Sequence, residues 1–118
     1  MIEELVSRVF AARNIAHLAH WKTKSFSQHM ALGDFYDSII DELDAIVEAF
    51  QGQFGLIGSV NLNTAPAKTE IVSFIQAELE WLNANLEEIC KENCAIENLV
   101  ENLMNTYQTT LYKLKNLS

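Results

Sequence analysis

Gly52-Gln53-Phe54-Gly55-Leu56-Ile57-Gly58-Ser59-Val60-Asn61-Leu62-Asn63-Thr64-Ala65-Pro66 is the stretch on which the fold turns. It holds three of the four glycines and the only proline, so it parts two long segments that carry almost no helix-breaking residues. In both segments the apolar residues recur with helical period. Upstream, Ile2, Leu5, Val6, Val9 and Phe10 open helix one. Its second half, Ala11 to Trp21, is apolar on nearly every side. Such a helix has two faces to cover, one against the core and one against a neighbouring subunit.

Ser25-Phe-Ser-Gln28 fits a capping box, with Ser25 as N-cap and Gln28 at N3. Helix one therefore ends near Lys22–Lys24, and helix two starts at Phe26 after a very short turn. Helix two is expected to reach Gln51, with Gly52 as its stop. Its apolar side comprises Leu32, Phe35, Tyr36, Ile39, Ile40, Leu43, Ile46, Val47 and Phe50. The linker from Gly52 to Ala65 contains Phe54, Leu56, Ile57, Val60 and Leu62, so it should pack along the surface. Thr64-Ala-Pro66 then opens helix three with proline in the first turn. Lys91-Glu-Asn93 breaks that helix, and Asn93 caps helix four. Trp81, Tyr107 and Tyr112 follow the packing rhythm, while Glu78, Glu80, Glu87 and Glu88 scatter as solvent-facing acids. Connections that run short, long, short predict one all-α domain over residues 1–118: a ferritin-like four-helix bundle with a long crossover, about 52–65, between helices two and three.

The composition narrows the function. With 118 residues and 49% hydrophobic content the chain can bury a core of its own. A net charge of −8 leaves no basic patch to displace counterions from phosphates, so no nucleic-acid partner is expected. Met1-Ile-Glu-Glu is not the start of a signal peptide, and no apolar run would span a bilayer. A cytoplasmic protein with no membrane partner is the expectation. Cys90 and Cys94 do not have zinc-site spacing. They are either two free thiols, as a cytosolic setting favours, or a disulfide across the turn between helices three and four.

The chemistry-bearing residues lie between positions 17 and 48. All three histidines, His17, His20 and His29, precede or open helix two, which carries six acids and no lysine or arginine. At about 100° per residue, Asp34, Asp37, Asp41, Asp44 and Glu48 fall within an arc of roughly 80° opposite the apolar side. That arrangement differs from a di-iron bundle, whose Glu and Glu-x-x-His ligands point inward; no Glu-x-x-His occurs in this chain. Imidazole with carboxylate is a donor set suited to iron and manganese. Each feature also has a plainer reading. His20 can be a core histidine bonded to a backbone carbonyl, His29 a surface residue, and the acids a solvated face. His17 shares a face with His20 and reads as packing or support.

His20-Trp21, then His29, then Leu43-Asp44-Ala-Ile-Val-Glu48 resembles the Dps-like miniferritins of the ferritin-like superfamily over roughly residues 10–50. The resemblance implies an iron site shared by two subunits about a two-fold axis, Fe(II) oxidation there, and His20, His29, Asp44 and Glu48 as ligands. Geometry is consistent: His29 and Asp44 are fifteen residues apart, about 22 Å of helix, too far to share one ion within a chain. Where the family has a carboxylate four residues after the second-helix histidine, this chain has Gly33, with Asp34 and Asp37 as stand-ins. The turn after His-Trp is about three residues shorter than typical, and the basic DNA-binding tail is absent. A homo-oligomer follows, a two-fold dimer at least and a larger shell only as the family implies. Iron is the expected metal, and the same donors accept zinc or manganese. The alternative is an oligomeric scaffold of the same fold with an eroded metal site.

Overall fold

Four helices account for nearly all of the computed structural model, which describes residues 1–63 and 69–118. They are α1 (Ile2–Lys22), α2 (Phe26–Phe54), α3 (Ile71–Cys90) and α4 (Cys94–Asn116). No strand occurs among the described residues. Helix α1 packs on α2, α2 on α4, α4 on α3, and α3 more lightly on α1, so the four close a ring around one core. The long dimension of 44 Å is that of α2 itself, twenty-nine residues at about 1.5 Å each.

The core follows the expected periodicity. Leu5, Val9, Ala12 and Ala16 face inward from α1, and Leu32, Phe35, Ile39, Leu43 and Ile46 from α2. Ile75, Leu79, Leu82 and Ile89 of α3 meet Ile96, Val100, Leu103 and Tyr107 of α4. The Phe35 ring meets the Tyr107 ring edge-on, centroids 4.9 Å apart, the arrangement their quadrupoles favour. Tyr112, read from the sequence as packing, is instead exposed. No helix among the described residues is long and apolar enough to cross a membrane.

The caps explain where helices start, and two of them correct the sequence reading. Ser25 Oγ accepts from the Gln28 amide, but Gln28 does not return the bond. Its side-chain oxygen takes the Thr23 hydroxyl instead, and Thr23 Oγ1 accepts the Ser25 amide, so threonine completes the box. Gly52 does not stop α2. The helix continues one turn because Phe50 and Phe54 pair their rings at 5.0 Å and the Lys91 ammonium lies 5.3 and 4.9 Å from their centroids. Gly55, with φ of 97°, ends it. Thr64-Ala-Pro66 lies outside the described residues, and α3 begins only at Ile71. Its cap is Glu70, whose carboxylate accepts the Val72 and Ser73 amides at 2.9 and 2.7 Å. Asn93 caps α4 as expected, accepting from the Ile96 amide.

The connection after α2 packs along the surface. Gly58 donates its amide to Glu3 in the first turn of α1, and the Ser7 hydroxyl donates to the Asn61 carbonyl. Leu56 and Leu62 point outward.

Two acids are partly inside, one of which, Glu78, reads from its spacing as solvent-facing. Glu78 Oε2 accepts from Arg8 Nη1 at 2.7 Å with its side chain only 13% exposed, and the Arg8 guanidinium also lies 4.4 Å from the Trp81 ring. Helical spacing could not reveal this, because Arg8 reaches Glu78 from another helix. Glu42, the sixth acid of α2, accepts the Thr106 hydroxyl on Oε2 at 2.7 Å, while its buried Oε1 has no hydrogen-bond partner among the described residues. Burial raises the Glu42 pKa above the usual carboxylate value, the Thr106 bond partly opposes this, and Asp41 adds to the rise. The folded state therefore binds this proton more tightly than the unfolded chain, and ionised Glu42 costs stability above the folded pKa. Glu42→Gln is expected to raise the melting temperature near pH 7 by roughly 2–4 °C, the size of a screened, partly buried charge in a domain of this length. The gain should shrink as pH falls through the carboxylate range. Melting curves at neutral and acid pH check both; an equal gain at every pH would exclude the titration as its origin.

Candidate metal centre

The short α1–α2 turn brings the end of one helix against the start of the next, and the histidines meet there. His20 stands in the last turn of α1, where carbonyls run out of helical partners. His29 stands in the first turn of α2. Their rings stack with centroids 3.6 Å apart and planes at 21°. Each ring donates to the other residue's backbone: His20 Nδ1–H to the His29 carbonyl at 2.6 Å, and His29 Nδ1–H to the His20 carbonyl at 3.0 Å. Because a carbonyl can only accept, both protons are on Nδ1. Both Nε2 atoms then carry free lone pairs in the neutral rings, and neither has a hydrogen-bond partner among the described residues. Imidazoles that bind metals are commonly oriented in this way, with the second nitrogen tied to a carbonyl.

Gly33 makes this clasp fit. A Cβ at position 33 would lie 3.2 Å from His20 Cε1, tighter than such contacts normally come, and 3.4 Å from Nδ1, so any side chain there would press on the His20 ring.

An aromatic layer backs the clasp. His17 stacks on Tyr36 with centroids 4.2 Å apart and planes at 18°, with Trp21 at 4.3 Å on the ring. Tyr36 also meets His20 edge-on at 5.4 Å, and the Arg13 guanidinium lies 5.1 Å from its centroid. Desolvation, then the charges of Arg13 and His20, lower the His17 pKa below its usual value, with Asp37 opposing. His17 is thus a packed, neutral ring beside the pair, in keeping with its supporting role.

The five acids of the arc, Asp34, Asp37, Asp41, Asp44 and Glu48, are all exposed. None of them forms an ion pair among the described residues. The structure brings His20 and His29 together and leaves Asp44 and Glu48 several turns further along α2. Among the described residues no three histidine, cysteine or acidic side chains converge where a metal ion could be held. One chain therefore offers two imidazoles at one end of α2 and carboxylates at the other. The plainer sequence reading of His20, a bond to a backbone carbonyl, is what the structure shows; that His29 returns the bond was not anticipated.

Residues 20–114 match a family described as a family of unknown function, DUF5856. No curated protein and no solved structure matches the chain.

Proposed function

This chain belongs to the family of unknown function DUF5856, and from that premise we propose that it is a ferritin-like, iron-binding protein that oxidises Fe(II) at a site completed by a second copy of itself. The observation that carries this reading is the His20–His29 clasp, which fixes two neighbouring imidazoles with both Nε2 lone pairs free. The acid arc supplies the complementary donors. No ion pair among the described residues relieves its mutual repulsion, and a bound cation would.

In this reading an antiparallel two-fold pairing sets His20 and His29 of one chain against Asp44 and Glu48 of the other, with Asp37 nearby. The Nδ1–carbonyl bonds would hold both rings in the metal-ready tautomer, and the rings of His17 and Tyr36 would brace the pair from one side. The carboxylates neutralise Fe(II), the substrate, and favour its ferric product. The crossover topology belongs to the same proposal. It is supported by the linker's bonds to the start of α1 and by Thr69, Glu70 and Ile71 sharing a cavity with Ile15, Leu18 and Lys22 at the opposite end of α1.

The second reading, an oligomeric scaffold without a metal, draws on the same clasp: the two carbonyl bonds and the stack on Gly33 give both histidines a purely structural reason. Ferric absorbance after adding Fe(II) in air separates the two readings. The parent protein should speed its growth well above buffer, and an Asp44→Asn/Glu48→Gln variant should return it to the buffer rate. Identical curves for parent and variant would leave the scaffold.

A further inference from the structure

Cys90-Lys91-Glu92-Asn93-Cys94 joins α3 to α4 and contains both cysteines. Cys90 ends α3 and is buried; Cys94 begins α4 and is exposed. Lys91 and Glu92 both take left-handed backbone, with φ of 49° and 64°. They fold the chain back so tightly that the Asn93 amide donates to the Cys90 carbonyl at 2.9 Å. A four-residue turn closed in this way keeps its end Cα atoms within about 7 Å, and Cys94 follows directly.

Cys90 lines a surface cavity of about 550 Å³ together with Glu92 and Glu97, and its thiol senses the charges of Glu97 and Glu101. On α4, Cys94, Glu97 and Glu101 are spaced three and four residues apart and share one face. Cys90 therefore borders a cavity that is also lined by Glu97, which lies one turn along α4 on the face of Cys94.

We infer that this turn is a dithiol–disulfide switch, in which a hydroperoxide oxidises exposed Cys94 and Cys90 then closes on it. In the first step the Cys94 thiolate attacks the peroxide. The O–O bond breaks, Cys94 becomes a sulfenic acid, and the departing alkoxide or hydroxide takes a proton. In the second, the Cys90 thiolate attacks the sulfenic sulfur. The S–S bond forms, the S–O bond breaks, and hydroxide leaves with a proton as water. Two electrons pass from the two thiols to one peroxide. Burial, reinforced by Glu97 and Glu101, pushes the Cys90 thiol up to about 11, so near neutral pH little of it is thiolate.

The test treats the purified full chain with a small excess of hydrogen peroxide and follows intact mass and free thiols in denaturant. The expected result is a mass lower by about 2 Da, loss of both thiols, and full reversal by dithiothreitol. Cys94→Ser should keep its Cys90 thiol under the same treatment. Cys90→Ser should carry Cys94 on to the higher oxyacids or into chain-to-chain links. Closure in the parent should speed up roughly tenfold per pH unit below the Cys90 pKa. Survival of both thiols would overturn the switch, as would a parent that keeps a free Cys90 thiol while Cys94 gains oxygen or links chains.

Discussion

His29→Ala and Glu48→Ala subunits, each inactive alone, are expected to regain Fe(II) oxidation when dissociated, mixed and reassembled. The reason is the length of α2. Its histidine end and its Asp44–Glu48 end are about 22 Å apart along the helix, so neither end can complete a site without a second chain. In a mixed dimer one site lacks both ligands and the other keeps both. Random pairing at equal amounts makes half the dimers mixed, so the mixture should show about a quarter of the parental rate. Each variant alone should fall at least roughly 100-fold, since losing a ligand should cost no less than losing a ligand's support. Stopped-flow absorbance on the mixture, with dimerisation confirmed by light scattering, measures the recovery. Mixed dimers that stay as inactive as their parents would reject the shared site, and with it the reason for assigning His29 and Glu48 to one centre.

Trp21→Glu is expected to prevent the proposed dimer from forming while leaving the chain folded, and Leu18→Glu to do so on its own. Trp21 is 67% exposed and Leu18 is 50% exposed in the single chain, although both stand in the most apolar part of α1. Met30 near the start of α2 is also half exposed, and Lys22 and Lys24 at the α1–α2 turn and Asp41, Asp44 and Glu48 further along α2 are on the surface. An antiparallel copy would cover the apolar centre and set the lysine end of each chain against the acidic end of its mate. A tryptophan at the centre of such an interface typically contributes at least about 2 kcal/mol, roughly thirtyfold in Kd, and a carboxylate in its place adds the cost of a buried charge. Neither side chain belongs to the core of the monomer, so circular dichroism should show unchanged helix content. A parental protein that scatters light as a monomer at tens of micromolar would remove both this interface and the two-chain metal site.

The four helices were legible because their causes are local. Apolar residues at helical spacing, Ser25 and Asn93 as caps, and a glycine-rich interval between two uninterrupted runs each act within a few residues of chain. The outward acid arc was legible for the same reason, since helical geometry alone puts Asp34, Asp37, Asp41, Asp44 and Glu48 on one side. What the sequence misplaced depended on contacts between elements. Gly52 has the composition of a stop, yet α2 passes through it because Lys91, thirty-nine residues later, lies over Phe50 and Phe54. Glu78 has the spacing of a surface acid, yet Arg8 from α1 takes it into the packed interior.

The histidines show the same division. Their presence near the α1–α2 turn could be read directly, and so could the glycine at position 33. That their rings stack at 3.6 Å, exchange bonds with each other's carbonyls and leave Nε2 free was decided only when α1 and α2 folded against each other. A periodic pattern states which side of its own helix a residue occupies. It carries no information on what the neighbouring helix brings to that side, and at this turn it is the neighbour that sets each ring's orientation and tautomer.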